Sequence, residues 1–300
     1  MKIIRVNGND KFLFIGDLHI DQYDFRTDKD KVVERKINLI TELIELLGIE
    51  FVFFTGDIFN RLSVSKEYFC YVINLMMKNE KFYNVKKYSL IGNHDYRFNI
   101  NNFETSIVSL LRLINFEFPD RLIINDEYII DFYHYDKQIE LREVEGYKNK
   151  IAMFHYFLNE ESEEERSGYV NLKELLKTKY DVFIFGHSHH LEIKEYGGKK
   201  FIFLPIIIRK SIIYFEEGFV TGAMLYDKGE LQFYEFELEK AIVSESKKKE
   251  IIDQKITKFF SIISECKNLK RENKYQEILR SLTDDEEVIK KCEYYINKII

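Results

Sequence analysis

The chain has 300 residues, 45% of them apolar and 32% charged, with a formal net charge of −6. That balance is the one expected of a soluble globular protein, of one large domain or of one domain plus a small appendage. The charge does not predict a uniformly basic nucleic-acid binder, nor does it exclude one. Three cysteines, Cys70, Cys266 and Cys292, are too few and too scattered for a disulfide framework or a zinc knuckle. They are expected as reduced thiols in a cytoplasmic protein, with Cys70 in the core of an apolar helical stretch. The N-terminus lacks a signal-peptide pattern, and apolar runs such as 201–208 are too short to span a bilayer.

In chain order, "KIIRV" and "KFLFI" flank Asn7-Gly8-Asn9-Asp10, which predicts a hairpin. The second run ends in Gly16-Asp17. Val33, Ile37, Ile40, Ile44 and Leu47 recur at helical spacing. "FVFFT" (51–55) is a buried strand that again ends in Gly-Asp, a helix is expected at about 65–78, and "KYSLI" (87–91) is the next strand. This alternation of strand and helix is that of an α/β fold, whose sites are built at the C-terminal ends of strands. The middle reads as short strands, among them "RLIIND", "YIIDFYHY" and "KQIELREVEGY" (137–147), then "KIAMFHYF" (150–157). An acidic stretch (159–166), a helix (170–178) and "YDVFIFGHSHH" follow. "KFIFLPIII", "FVTGAMLYD" and "LQFYEFEL" close a second sheet, with Asp227-Lys228-Gly229 as a hairpin turn. From about 240 the apolar period is helical, and Thr283-Asp284-Asp285-Glu286 reads as a capping box. The expected organisation is a domain over 1–240 and a helical module over 241–300, whose apolar stripes read either as packing on that domain or as docking a partner.

Six of the seven histidines fall at predicted strand ends, among glycine, aspartate and asparagine. The ends are Gly16-Asp17-Leu18-His19, Gly56-Asp57, Gly92-Asn93-His94-Asp95, His155, and Gly186-His187-Ser188-His189-His190. Imidazole, carboxylate and amide oxygen without thiolate suit borderline divalent ions such as Mn2+, Fe2+, Co2+ or Zn2+. Asp-x-His and His-x-His are expected to put alternate side chains on one side of an extended segment, so each pair can reach one centre. The ligands exceed the needs of one ion, so two are expected, placed to activate water and clamp a phosphoryl group.

Asp17-x-His19, Gly56-Asp57, Gly92-Asn93-His94-Asp95, His155 and Gly186-His187-x-His189 resemble the signature of calcineurin-like metallophosphoesterases, over about residues 11–190. Within that superfamily, "FIGDLHI", "FTGDIFNRLSVS" (54–65), "FIFLP" (201–205) and "GFVTGAMLYDKGELQFYEFEL" (218–238) are most similar to SbcD-type DNA-repair exonuclease subunits. The resemblance implies a four-layer αββα sandwich, two mixed sheets flanked by helices. It implies Asp17, His19 and His189 at one metal, Asn93, His155 and His187 at the other, and Asp57 bridging both. His94 would protonate the leaving oxygen or stabilise its charge, Asp95 would orient its ring, and a bridging hydroxide would attack phosphorus in line. Mn2+ is the first expectation for both ions, with Fe2+, Zn2+, Co2+ or Mg2+ open. The implied partners are single- or double-stranded DNA, an SbcC-type coiled-coil ATPase docked through the C-terminal helices, and a second copy of the chain. No membrane partner is expected.

Arg61 reads either as a substrate-phosphate contact or as a capping or salt-bridging arginine. Tyr96 and Arg97 read as groove lining or as loop packing. His190 is expected at the surface or behind the ligands, and His134 as an ordinary strand histidine. Lys247-Lys248-Lys249, Lys267 and Lys270-Arg271 fit a nucleic-acid backbone or a solvated helix face. Three functions are in play: a DNA-cutting two-metal phosphodiesterase, a phosphatase or cyclic-nucleotide phosphodiesterase on the same fold, and a non-catalytic scaffold for an ATPase or DNA ends.

Overall fold

The structure, a computed structural model, describes residues 1–21, 29–60, 64–95, 107–135, 139–160, 168–208 and 219–237. The C-terminal module expected over 241–300, with its lysine runs, Cys266 and Cys292, lies outside them, as do Arg61, Tyr96 and Arg97.

The first third contains β1 (Ile3–Val6), β2 (Lys11–Ile15), α1 (Lys29–Leu47), β3 (Phe51–Phe54), α2 (Lys66–Lys78), α3 (Glu80–Asn84) and β4 (Lys86–Ser89). A 3-10 helix at Ile107–Ile114 leads into β5 (Phe116–Glu117), β6 (Arg121–Ile124), β7 (Tyr128–Tyr133) and β8 (Asn149–Phe154). Then come β9 (Phe157–Asn159), β10 (Tyr169–Asn171), α4 (Leu172–Lys177) and β11 (Val182–His189). The described chain closes with β12 (Glu192–Tyr196), β13 (Lys199–Pro205), β14 (Thr221–Asp227) and β15 (Glu230–Phe236).

The strands form two mixed sheets. One runs β1-β6-β7-β8-β11-β13-β12, the other β15-β14-β2-β3-β4-β5, and β9 pairs with β10 apart from both. Alternation along β2 and β3 explains their unbroken apolar character. Phe12, Phe14, Phe51 and Phe53 fill the layer between the sheets, together with Ile130, Phe132, Met153, Ile184 and Ile202 of the larger sheet. Leu13, Ile15, Val52 and Phe54 face the other way, under Val33, Ile37, Ile40 and Ile44 of α1 and Phe69, Val72 and Met76 of α2. On the far side of the larger sheet, Phe154, Phe183, Phe185 and Phe201 pack with Leu175 of α4 and Tyr180. The result is the expected four-layer arrangement of helix, sheet, sheet and helix. Within it β2, β3 and β4 are mutually parallel, as are β8 and β11. Loops after those five strands therefore leave their sheets at C-terminal ends.

Four expectations need correction. The late strands do not close one second sheet: β13 lies beside β11 in the larger sheet, while β14 and β15 extend the sheet of β2, to which β14 pairs antiparallel. The Asn7–Asp10 segment is not a hairpin: β1 pairs in parallel with β6 of one sheet, while β2 joins β3 and β14 of the other. The side chain of Asn125 explains the crossing, because its Oδ1 accepts from Gly8 N at 3.1 Å and its Nδ2 donates to Gly8 O at 2.8 Å. Residues 139–147 form no strand. There Arg142 turns onto β7, donating through Nη1 to Asp120 O at 2.6 Å, while its backbone N–H donates to Tyr133 Oη at 2.9 Å. Cys70 is exposed, because the buried stripe of α2 runs through Phe69, Val72, Ile73 and Met76. The Asp227–Glu230 hairpin forms as expected, with Lys228 and Gly229 both left-handed (φ 50° and 96°).

Candidate metal centre

Five loops deliver the polar strand-end residues to one rim shared by the two sheets. Asp17 and His19 follow β2, Asp57 follows β3, Asn93, His94 and Asp95 follow β4, His155 follows β8, and His187 and His189 end β11. Asp17, His19, Asp57, Asp95, His155 and His189 are all buried. Three groups have ligand atoms mutually within 4.8 Å: Asp17, His19 and His189; His19, Asp57 and His94; and Asp57, His155 and His187. Asn93 joins the last, with Oδ1 3.0 Å from His155 Nε2. All nine residues singled out as metal-binding or catalytic and lying among the described residues thus converge.

The backbone that brings them together is not the extended one expected. Eight described non-glycine residues have positive φ, and half of them are here: His19 (48°), Asp57 (46°), His187 (70°) and His189 (65°). Left-handed backbone at such residues costs of order 1–3 kcal/mol each and persists where packing over-determines it. The register of β11 against β13 shifts between Phe185 and His189, so the His-x-His pair is aimed by a bulge rather than by simple alternation. Glycine makes room for the crowding. A Cβ on Gly92 would lie 2.1 Å from Asp57 Oδ1, and one on Gly186 2.7 Å from Asp17 Oδ1.

Each carboxylate is held. Asp17 Oδ1 accepts from Thr55 Oγ1 at 2.6 Å and Oδ2 from His187 N at 2.9 Å. Asp57 Oδ1 accepts from His94 N at 2.8 Å. The imidazoles are held too. His155 Nδ1 donates to Thr55 O at 2.7 Å, His19 Nδ1 meets Asn60 Oδ1 at 3.1 Å, and His94 Nδ1 meets Asn60 O at 2.5 Å. The last contact corrects the role expected of Asp95. Its Oδ2 accepts from Gly92 N and Asp57 N, each at 2.9 Å, so it ties the β3 and β4 loops together. The His94 ring is set by the Asn60 carbonyl.

The donor set fits divalent cations. Asp57 Oδ2 is buried and has no hydrogen-bond partner. It faces His155 Nε2 at 3.3 Å, His19 Nε2 at 3.5 Å and His94 Nε2 at 4.0 Å. A buried carboxylate oxygen left without a donor costs several kcal/mol unless a charge meets it. His19 Nε2 and His189 Nε2 also point at each other across 3.0 Å. The electrostatics make the same demand. Burial alone would raise Asp17, but His155, His189 and His19 hold it well below the usual carboxylate range. Burial would likewise raise Asp57, but His155 and His19 hold it down at about 2, against the repulsion of Asp17. Burial would lower His155, yet Asp57 and Asp17 push it up to about 10. His187, half-buried, is pushed down to about 4 by desolvation and by the neighbouring His155 ring. Without a metal, the two carboxylates favour a proton on His155.

A sequence profile of the calcineurin-like phosphoesterases matches residues 10–191, which carry all nine of these residues. The chain belongs to the calcineurin-like phosphoesterase family. By that membership it is a metal-dependent hydrolase of phosphoester bonds, and the His/Asp cluster has the donors to hold divalent ions. No curated protein matches. Among solved structures, one described as that of a novel archaeal phosphodiesterase aligns over 75% of this chain and 99% of its own. Its identity to this chain is 16% and its TM-score 0.42. No helix among the described residues is long and apolar enough to cross a membrane.

Two histidines stand outside the cluster. His190 is exposed, as expected. His134 is buried, accepting from Ile91 N through Nδ1 at 3.1 Å and meeting Pro119 O through Nε2 at 3.0 Å. It pins the end of β4 to β7. Sequence reasoning missed Thr55 and Asn60. Thr55 carries no sequence signal beyond closing an apolar strand, and Asn60 lies three residues beyond Asp57, just after two apolar residues, where its type alone does not reveal a partner.

Proposed function

We propose that this phosphoesterase is a two-metal phosphodiesterase that cuts DNA. In this reading Asp17, His19 and His189 hold one ion, Asn93, His155 and His187 hold the other, and Asp57 serves both. The observation that carries the two-ion reading is Asp57 Oδ2, buried without a hydrogen-bond partner and shared between two donor groups, one with His19 and one with His155 and His187. Divalent ions bound there would supply Lewis acidity and a water acidified toward neutral pH, and Mn2+ is the choice for test. DNA is favoured by the resemblance of "FTGDIFNRLSVS" and of strands β13 to β15 to SbcD-type subunits. That resemblance also supports an SbcC-like ATPase, or a second copy of the chain, as partner.

His94 acts as the proton donor to the leaving oxygen. Its side chain is 30% exposed, whereas those of His19, His155 and His189 are 0%, 0% and 9% exposed. It therefore sits at the mouth of the cluster, where substrate arrives. With Nδ1 fixed on the Asn60 carbonyl, the exchangeable proton is at Nε2, facing the rim. Asp95 supports this indirectly by holding the loop on which His94 rides.

The test is hydrolysis of linear single- and double-stranded DNA in Mn2+, with His94→Ala alongside. Wild type is expected to degrade DNA, and the variant to keep its ions and lose the activity. Cleavage of small phosphoesters but never of DNA would favour a phosphatase or cyclic-nucleotide phosphodiesterase. Full ion loading with no hydrolysis of any phosphoester would favour a scaffold.

A further inference from the structure

We propose that Asn60 is a positioning residue that sets two rings of the site at once: its side-chain amide fixes His19 and its backbone carbonyl fixes His94, with Asp21 determining which way round the amide lies.

Asn60 Nδ2 is 2.7 Å from Asp21 Oδ2. A carboxylate only accepts, so that end of the amide is the NH2. The other end, Oδ1, is then turned to His19 Nδ1 at 3.1 Å. An amide oxygen also only accepts, so His19 carries its hydrogen on Nδ1. Its Nε2 is left as a lone pair, aimed at the space bounded by His189 Nε2 at 3.0 Å, Asp57 Oδ2 at 3.5 Å and Asp17 Oδ2 at 4.0 Å. An amide turned the other way would offer NH2 to His19, move the ring hydrogen to Nε2 and point it into the cluster. The backbone of the same residue acts on His94, whose Nδ1 lies 2.5 Å from Asn60 O. The chain is anchored at this point, since Asn60 N donates to Ile20 O at 2.9 Å and Ile20 bridges Phe59. One residue therefore fixes the tautomer of a ring in the cluster's interior and of the ring at its mouth. Partners of this kind behind metal-binding histidines are worth about 10–100-fold in affinity or activity.

The inference rests on the two-ion reading, and its two halves can be separated experimentally. In metal-free protein, ring 15N shifts recorded where the imidazoles are neutral should show both His19 and His94 as Nδ1–H tautomers. In Asn60→Leu, His19 should become a tautomer mixture while His94 stays unchanged, because the backbone carbonyl remains. Calorimetric titration of Asn60→Leu with Mn2+ should show one of two binding steps weakened about 10–100-fold. Asn60→Asp combined with Asp21→Asn, which keeps an acceptor toward His19 and a donor–acceptor pair behind it, should recover most of that loss. A wild-type His19 found as the Nε2–H tautomer would overturn the proposal, and this holds even if Asn60→Leu fails to fold. So would a folded Asn60→Leu with both binding steps unaltered. Wild type that binds no divalent ion would overturn the two-ion reading instead, whatever the tautomer.

Discussion

Asp131 and Asp57 are both fully buried carboxylates on the same scaffold, and the fold treats them in opposite ways. Asp131, on β7, is neutralised by protein. Arg121 grips it with two hydrogen bonds, Nε to Oδ1 at 2.6 Å and Nη2 to Oδ2 at 2.7 Å. Arg142 Nη1 stands 3.4 Å from Oδ1, and the Tyr180 hydroxyl donates to Oδ2. Asp57 is given one backbone donor on Oδ1, and its Oδ2 faces imidazole nitrogens without a hydrogen bond. The same chain can satisfy a buried carboxylate with guanidinium and phenol. At Asp57 it places ligand-type nitrogens instead, which is the arrangement a cation completes.

The contrast can be broken most severely at the centre itself. Asp57→Asn should reduce phosphoester hydrolysis to background and remove the rise in melting temperature that added Mn2+ produces in wild type, as read by scanning calorimetry with and without the ion. Next in size, His94→Gln should lower kcat by about 10²–10⁴-fold, the range for a lost general acid. Titration calorimetry should find ion binding unchanged in that variant. Asp131→Asn sharpens the other side. Removing one partner of a buried pair costs about 3–5 kcal/mol, so denaturant unfolding should shift by that order while the rate per folded molecule stays at the wild-type level. A large loss of rate there would mean that the two carboxylates are not functionally separate.

The smallest effect concerns protons. His155, raised to about 10 by Asp57 and Asp17, is protonated at neutral pH in the ion-free protein. A divalent ion must displace that proton, so ion affinity should fall as pH falls, by up to about tenfold per pH unit below the His155 pKa. Calorimetry in buffers of different ionisation enthalpy should count the proton released. In the ion-free state the sign for stability is the reverse. The His155 contribution is fully present below its ordinary value of 6.5 and is lost as pH rises through about 10.

The convergence of the candidate ligands was legible because chemistry leaves residue types at strand ends. Asp17, His19, Asp57, Asn93, His155, His187 and His189 each follow or end an apolar run that could only be a buried strand. The backbone beneath them was not legible. Alternation predicts that Asp-x-His and His-x-His converge by being extended, whereas His19, His187 and His189 are left-handed. Only tertiary packing, including the bulge in β11, produces that geometry. Asn7–Asp10 has turn composition, but the partner that decides its path is Asn125, more than a hundred residues away. Cys70 sits one position off the buried stripe of α2, a rotation that a mostly apolar helix does not reveal from its sequence. Asp95 looked like the orienter of His94 because it is adjacent in sequence. Asn60 holds that ring because β3 and β4 lie side by side.

The most direct test of the central claim is anomalous diffraction from crystals of the full chain soaked in Mn2+. Two peaks are expected roughly 3.5–4 Å apart, the spacing of two-metal sites. Asp57 Oδ2 should ligate both, with Asp17, His19 and His189 around one and Asn93, His155 and His187 around the other. A single peak, or ions anchored without Asp57, would contradict the account.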